Sequence, residues 1–292
     1  MTNRKFVKYV ELTKPKVTLL NLLVGVTCFA LATLPQVNLL RLSVFALAGY
    51  LSCGGCGVLN CVYDRDVDRL MPRTSKRAIP SGTISPINAL SYGSILLLSG
   101  ICISFIVFNA ITAVMMALGA VFYLVVYTIY LKSRSSLNVV IGGVAGCFAA
   151  LAGWTAASNS LSLLPLLVST VDFLWTPGHL WGLAMKKIKE YKAAGIPMLP
   201  VTVGIKKAAQ TTFMLNLLVV ASSLTLPVLG VSGLIYCFVA LSAGIWFLLE
   251  NRRLLAFPSE SGGFQIFSAS MPYLAILMVG LLVDRLFFAR IL

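Results

Sequence analysis

From Val17 to Phe288 the chain is a succession of apolar stretches, most of them long enough to cross a bilayer, separated by short polar segments. Crossing takes roughly 20 apolar residues as a helix, and within lipid a helix satisfies all of its own backbone hydrogen bonds. The stretches fall at about Val17 to Leu34, Leu39 to Val62, 88–109, 111–131, 138–157, 161–185, 208–230, 231–249 and 266–288, which predicts nine spans. Between the third and fourth, Asn109 alone marks the turn. Hydrophobic residues make up 59% of the chain and charged ones 11%, values a soluble domain of this length does not reach. The expected fold is therefore all-α, a polytopic membrane helical bundle formed by residues 1–292 as a single domain. Residues 1–16 read as a basic amphipathic approach to the bilayer; no cleavage site follows, so the first apolar stretch reads as a membrane helix and not as a signal peptide.

The formal net charge of +14 invites a nucleic-acid reading, but the cations lie in short clusters between apolar stretches, as orientation signals do. With the N-terminus in the cytosol, 20 of the 23 lysines and arginines fall on the cytosolic side, and only Arg41, Arg285 and Arg290 fall outside. That asymmetry predicts a multi-pass protein of the plasma membrane whose polar loops face the cytosol, with the lipid bilayer and no nucleic acid as partner. The seven cysteines are scattered through apolar stretches without framework spacing, so no disulfide scaffold is implied. Cys53 and Cys56 form a C-x-x-C, but Gly54, Gly55 and Gly57 beside them point to close helix packing.

One polar segment stands apart, Asn60 to Gly82, where Asp64, Asp66 and Asp68 are three of only nine acidic residues. If the second span runs on as helix through Asp68, then Asn60, Asp64 and Asp68 follow at i, i+4 and i+8 along one face, and Asp66 points elsewhere. Hard oxygen donors in such a stripe suit magnesium, which takes one or two carboxylates and completes its shell with phosphate and water. Arg73, Lys76 and Arg77 follow, placed to match the remaining charge of a metal-bound phosphate. The alternative is a loop in which these acids and bases merely pair with one another at the interface.

A second polar loop, Met185 to Gly204, follows the sixth span as the Asp-rich loop follows the second, so both lie on one side of the membrane. The matching placement predicts a pseudo-repeat of four plus four helices with a ninth appended, with the site at the repeat interface. Lys186, Lys187, Lys189 and Lys192 make this loop cationic around Glu190 and Tyr191. Tyr127, Lys132 and Asn138 flank the short loop after the fourth span, where Lys132 either reaches the same phosphate or anchors the interface. Gly142, Gly143 and Gly146 read as packing positions. In the sixth span, Asp172, Trp175, Pro177, Gly178 and His179, the only histidine, place an acid and an imidazole beside an expected Pro-Gly break. His179 is either a group that meets substrate or a buried, hydrogen-bonded structural residue.

These residues carry a resemblance to the UbiA-type intramembrane prenyltransferases, over nearly the whole chain. It rests on N-x3-DRDVD-x2-M-x-RT-x2-R (Asn60 to Arg77), Y-T-x2-L-K with N-x-V-I-G-G (Tyr127 to Gly143), W-T-P-x-H (Trp175 to His179) and Y-x-A-A-G-I-P-M-L-P (Tyr191 to Pro200). The last two, with M-x-R-T, resemble the heme branch of that family. The resemblance implies transfer of the farnesyl group of farnesyl diphosphate to a vinyl group of heme b, giving heme O. It implies one or two magnesium ions on Asn60, Asp64 and Asp68, and diphosphate contacts from Arg73, Arg77, Lys132, Lys186 and Lys189. Asp66, Glu190, Tyr191 and Tyr127 are implied as catalytic or second-loop residues, and His179, Trp175 and Asp172 as heme-binding. A downstream heme-modifying or oxidase-assembly protein is implied as a partner. The chain departs from the family pattern at Glu190, usually Asp, at Ala149 and Ala150, usually a Pro pair, at Gly178, usually Pro, and in lacking a second D-x-x-x-D. On residues alone, a prenyl transferase acting on a quinone-precursor ring and a transporter of metal ions or organic anions remain open.

The orientation has a direct test. Single cysteines placed at Ser75 and Ser136 in a cysteine-free background label with an impermeant thiol reagent from the cytosolic side only; labelling of either from outside refutes it.

Overall fold

The computed structural model describes residues 2–288, nearly all of them helical, with no strand among the described residues. Arg290, assigned above to the outer side, lies outside the described residues. A short helix α1 (Thr2–Leu12) leads into α2 (Pro15–Thr33) and α3 (Leu39–Tyr63). After α4 (Arg65–Leu70) and a folded loop come α5 (Pro86–Val107) and α6 (Ala110–Val121), which continues as a π-helix over Phe122–Leu131. The second half holds α7 (Asn138–Gly142), α8 (Val144–Ser158), α9 (Leu163–Lys186), α10 (Ile188–Ala193), α11 (Leu199–Val228), α12 (Leu234–Ala256) and α13 (Glu260–Phe288).

Counting α6 with its π-helical continuation and α7 with α8, eight segments are long and apolar enough to cross a membrane. The ninth predicted span is α9, which at 24 residues matches them in length. Its hydropathy is diluted by Asp172, Thr176, Pro177 and His179, the residues a buried site needs. Asn109 does make the expected turn, capping α6 by accepting from the Thr112 amide at 2.8 Å. Some ends differ: α12 runs to Ala256, α13 starts at Glu260, and α11 starts at Leu199 and kinks at Gly204, whose φ is 80°. Helical hydrogen bonding continues past the apolar window into the polar interface, which hydropathy cannot register.

Each long helix packs on the next along the chain, α2 on α3, α3 on α5, α5 on α6, α6 on α8, α8 on α9, α9 on α11, α11 on α12 and α12 on α13. The short helices α4 and α10 follow α3 and α9 at matching places, and α2 against α8 joins the two halves. Lipid supplies no hydrophobic drive between helices, so close approach of small residues does that work. At Gly153 a β-carbon would fall onto the carbonyl of Gly25 in α2, and at Gly55 onto the backbone of α5 near Gly93 and Leu97.

One expectation is corrected. α9 has no break at Pro177 and Gly178; it is helical from Leu163 to Lys186. Packed neighbours hold the backbone through the proline, and Gly178 lets Asn216 of α11 approach closely. Likewise α8 is continuous through Ala149 and Ala150. Gly153→Ala is expected to destabilise the protein by about 1–3 kcal/mol through overpacking, read as a lower melting temperature in detergent; an unchanged value contradicts the α2–α8 contact.

Candidate active site

A cavity of about 700 Å³ opens between the two halves, within the usual range for small-molecule sites. The wall contributed by α3 and α4 carries the acid stripe. The helix is not continuous through Asp68 as expected: α3 stops at Tyr63 and α4 starts at Arg65. The i, i+4 ladder nevertheless crosses the join, with the Asp64 amide on the Asn60 carbonyl at 2.9 Å and the Asp68 amide on that of Asp64 at 2.7 Å. Asn60, Asp64 and Asp68 therefore line the cavity, all buried, while Asp66 turns to solvent and pairs with Arg65 and Arg69 at 3.4 and 3.2 Å.

Burying two carboxylates is costly unless each meets a cation. Asp64 pairs with Lys132 from the end of the π-helix, and Asp68 with Arg77 at 2.8 Å. Burial pulls the Arg77 guanidinium down, but Asp68, with Cys61 and Asp64 beyond it, outweighs that and leaves its pKa above the ordinary value. Ala78, Ile79 and Ile84 bury under α1, α3 and α5, which holds the Arg77 loop in place. The Asn60 amide is oriented by a relay: its Nδ2 donates to Thr128 Oγ1 at 2.9 Å, and Thr128 Oγ1 donates to the Tyr123 carbonyl at 2.8 Å. The Oδ1 atom faces Lys14, which donates to it. Asn138 fixes the neighbouring backbone, donating to the Lys132 carbonyl at 3.0 Å.

Lys14 was missed by sequence reasoning. It occupies the joint between α1 and α2 with a left-handed backbone, φ 51°, uncommon for a residue with a side chain and a mark of functional positions. The only signal was Lys14-Pro15-Lys16 before the first span, which looks like ordinary interfacial charge. Lys14, Lys16, Arg73, Arg77 and Lys132 line the cavity against Asp64 and Asp68, so this end carries surplus positive charge. Among the described residues no three His, Cys, Asp or Glu side chains converge on one point. The donor set is two carboxylates and an amide oxygen, which fits a magnesium ion shared with a diphosphate and not a closed protein cage.

Lys186 and Lys189 are exposed and do not line the cavity, and Glu190 pairs with Lys187 at 2.7 Å outside it. α10 turns about 100° per residue, so with Tyr191 on the cavity side Lys189 faces out. Deeper, the cavity is lined by Tyr123 and Tyr127, stacked at 5.9 Å, and by Asp172, Trp175, His179, Phe267 and Met271. Gly142 packs on Tyr127 and Gly146 on the Asp172 carboxyl, so these packing positions also shape the wall. Cys53 and Cys56 are among the residues lining the cavity, while Gly55 makes the helix contact. The site thus joins a cationic, metal-compatible mouth to an aromatic chamber, an arrangement able to ionise a diphosphate ester and shield the product from water.

Residues 19–278 match the UbiA prenyltransferase family. The chain is 38% identical over 280 residues, 96% of its length, to protoheme IX farnesyltransferase 1 of Paramagnetospirillum magneticum, of which it covers 99%. It is 39% identical over 284 residues to protoheme IX farnesyltransferase of Streptomyces coelicolor, covering 94% of this chain and 90% of that one. A UbiA homolog from Archaeoglobus fulgidus, solved bound to DMAPP and Mg2+, shares the fold with a TM-score of 0.73 at 18% identity, over 93% of this chain and 99% of that one.

Asp64→Asn and Asp68→Asn are each expected to lower turnover by about 100-fold or more, and Lys14→Met to weaken diphosphate binding, whereas Asp66→Asn changes little. Steady-state kinetics at varied magnesium check this; equal losses at Asp64, Asp66 and Asp68 contradict the one-wall geometry.

Proposed function

This chain belongs to the UbiA prenyltransferase family, and from that premise we propose that it transfers the farnesyl group of farnesyl diphosphate to a vinyl group of heme b, giving heme O and diphosphate. One observation carries the reading. A single cavity joins the acid stripe and its cations to an aromatic chamber holding the only histidine, in a chain whose relatives over nearly all its length are named protoheme IX farnesyltransferase.

In this reading Asn60, Asp64 and Asp68 hold magnesium, one or two ions, on the diphosphate. Its charge there stabilises the leaving group. Arg73, Arg77, Lys132 and Lys14 take the charge that grows on the departing oxygens, Arg77 and Lys132 exchanging their carboxylate partners Asp68 and Asp64 for phosphate oxygens. The carbon–oxygen bond of the ester breaks to give an allylic cation, and Tyr123 and Tyr127 offer it ring faces. The terminal vinyl carbon forms the new carbon–carbon bond, and water adds to the porphyrin-side cation and releases a proton, leaving a hydroxyl. Until then the helical walls exclude water from the allylic cation. Tyr191 closes the chamber from α10, and Trp175, His179 and Asp172 receive the porphyrin. The lysines outside the cavity, Lys186 and Lys189, act only at long range, drawing anionic substrate to the surface. The protein lies in the plasma membrane with the cationic mouth toward the cytosol, where both substrates reach it, and its product passes to a downstream heme-modifying or oxidase-assembly protein.

Purified protein incubated with radiolabelled farnesyl diphosphate, magnesium and heme b is expected to move label into heme, with a mass gain of one farnesyl group and one hydroxyl. Label that stays in diphosphate or leaves as farnesol, while a quinone-precursor ring accepts it, contradicts the heme assignment.

A further inference from the structure

Trp175 and Phe267 both stack on His179, with ring centroids at 4.3 and 4.4 Å. They do not stack on each other, which places them on opposite faces of the imidazole and leaves only its edge for chemistry. On that edge Nδ1 is 2.6 Å from Ser270 Oγ, on a residue of α13 with 0% exposure. Ser270 Oγ lies 2.8 Å from the Phe267 carbonyl one turn earlier, to which its hydroxyl donates. A hydroxyl has one hydrogen and two lone pairs. With the hydrogen spent on Phe267, Oγ accepts from Nδ1–H. The opposite tautomer would use only the serine's hydrogen and leave an Nε2–H without an acceptor, since Nε2 makes no hydrogen bond among the described residues. Ser270 also holds the stacking partner, because Trp175 Nε1 donates to its carbonyl at 2.8 Å.

We propose that Ser270 is a positioning residue that locks His179 as the Nδ1–H tautomer, so that Nε2 presents its lone pair across the cavity to the iron of the porphyrin substrate. The proposal rests on the heme reading above. An imidazole that ligates metal through one nitrogen is generally oriented, and made more basic, by a hydrogen bond from the other. Here the acceptor is neutral, buried and fixed in a helix, and the two flanking rings prevent rotation out of line. A reversible bond of this kind sets the porphyrin's position while its vinyl edge reacts elsewhere.

The test uses the purified full chain titrated with heme b, read by the Soret band of the ferric and ferrous forms and by the dissociation constant. His179→Ala is expected to lose the imidazole-ligated spectrum. Ser270→Ala is expected to weaken heme binding about 10–100-fold and to shift the spectrum in the same direction, and Ser270→Thr to restore both. Magnesium-dependent binding of a farnesyl diphosphate analogue is unchanged in each, which reports the fold. Should Ser270→Ala fail to fold, Ser270→Cys, a weaker acceptor of similar size, carries the same expectation. A wild-type spectrum and affinity in a folded Ser270→Ala or Ser270→Cys variant overturns the lock while leaving ligation by His179 standing. A wild-type spectrum in His179→Ala overturns ligation itself, and the lock with it.

Discussion

Two buried carboxylates, one at the join between α3 and α4 and one on α4, set the terms for everything around them. Asp64 and Asp68 are 4% and 1% exposed, and unpaired ions at that depth would cost several kcal/mol each. Each is met by a cation, Asp64 by Lys132 from a distant part of the chain and Asp68 by Arg77 from farther along the same loop. The first pair ties the join between α3 and α4 to the end of the π-helix, and the second folds the loop after α4 back onto it, so the loop is folded structure and not a tether. The same pairs hold acid and base on one wall, where a metal-bound diphosphate needs both. In the proposed function, charge compensation and substrate recognition are met by one set of residues.

The repeat explains where the rest of the site comes from. α3 with α4 and α9 with α10 occupy equivalent places in the two halves, and both face the cavity. They have diverged in chemistry: the first supplies carboxylates and an amide, the second an imidazole between aromatic rings. Pseudo-symmetric membrane folds place their sites at such an interface. Here the asymmetry puts a polar, charged end on one half and an aromatic wall on the other, which the proposed function reads as the ionising site and the porphyrin receptor. The small residues between α2 and α8 keep the halves close enough for one cavity to serve both.

The spans were legible because apolar length is a strong signal, and the acid stripe because helical spacing survives a one-residue irregularity at Asp64. What was hidden depends on three-dimensional neighbours. Lys14 looked like interfacial charge, and only the left-handed backbone before Pro15 turns it onto Asn60. Ser270 is a small hydroxyl within an apolar stretch, with no periodicity to single it out, and Thr128 stood in the Y-T-x2-L-K motif with nothing to show its partner, yet one orients Asn60 and the other meets His179. Lys186 and Lys189 erred the other way: their charge suited the chemistry, but rotation about the helix axis faces them outward. At Pro177 the residue type suggested a break, and packing against neighbouring helices kept the helix whole.

In the proposed function one cavity holds both substrates at once, diphosphate on the acid wall and porphyrin on the aromatic one. A structure with magnesium, a non-hydrolysable farnesyl thiodiphosphate and heme b bound together tests it most directly. The diphosphate is expected among Asp64, Asp68, Arg73 and Lys132, iron beside His179 Nε2, and a vinyl carbon within about 3.5 Å of the first farnesyl carbon, the separation of a reactive pair. Porphyrin bound outside this cavity, or with its vinyl groups turned away from the farnesyl carbon, would contradict it.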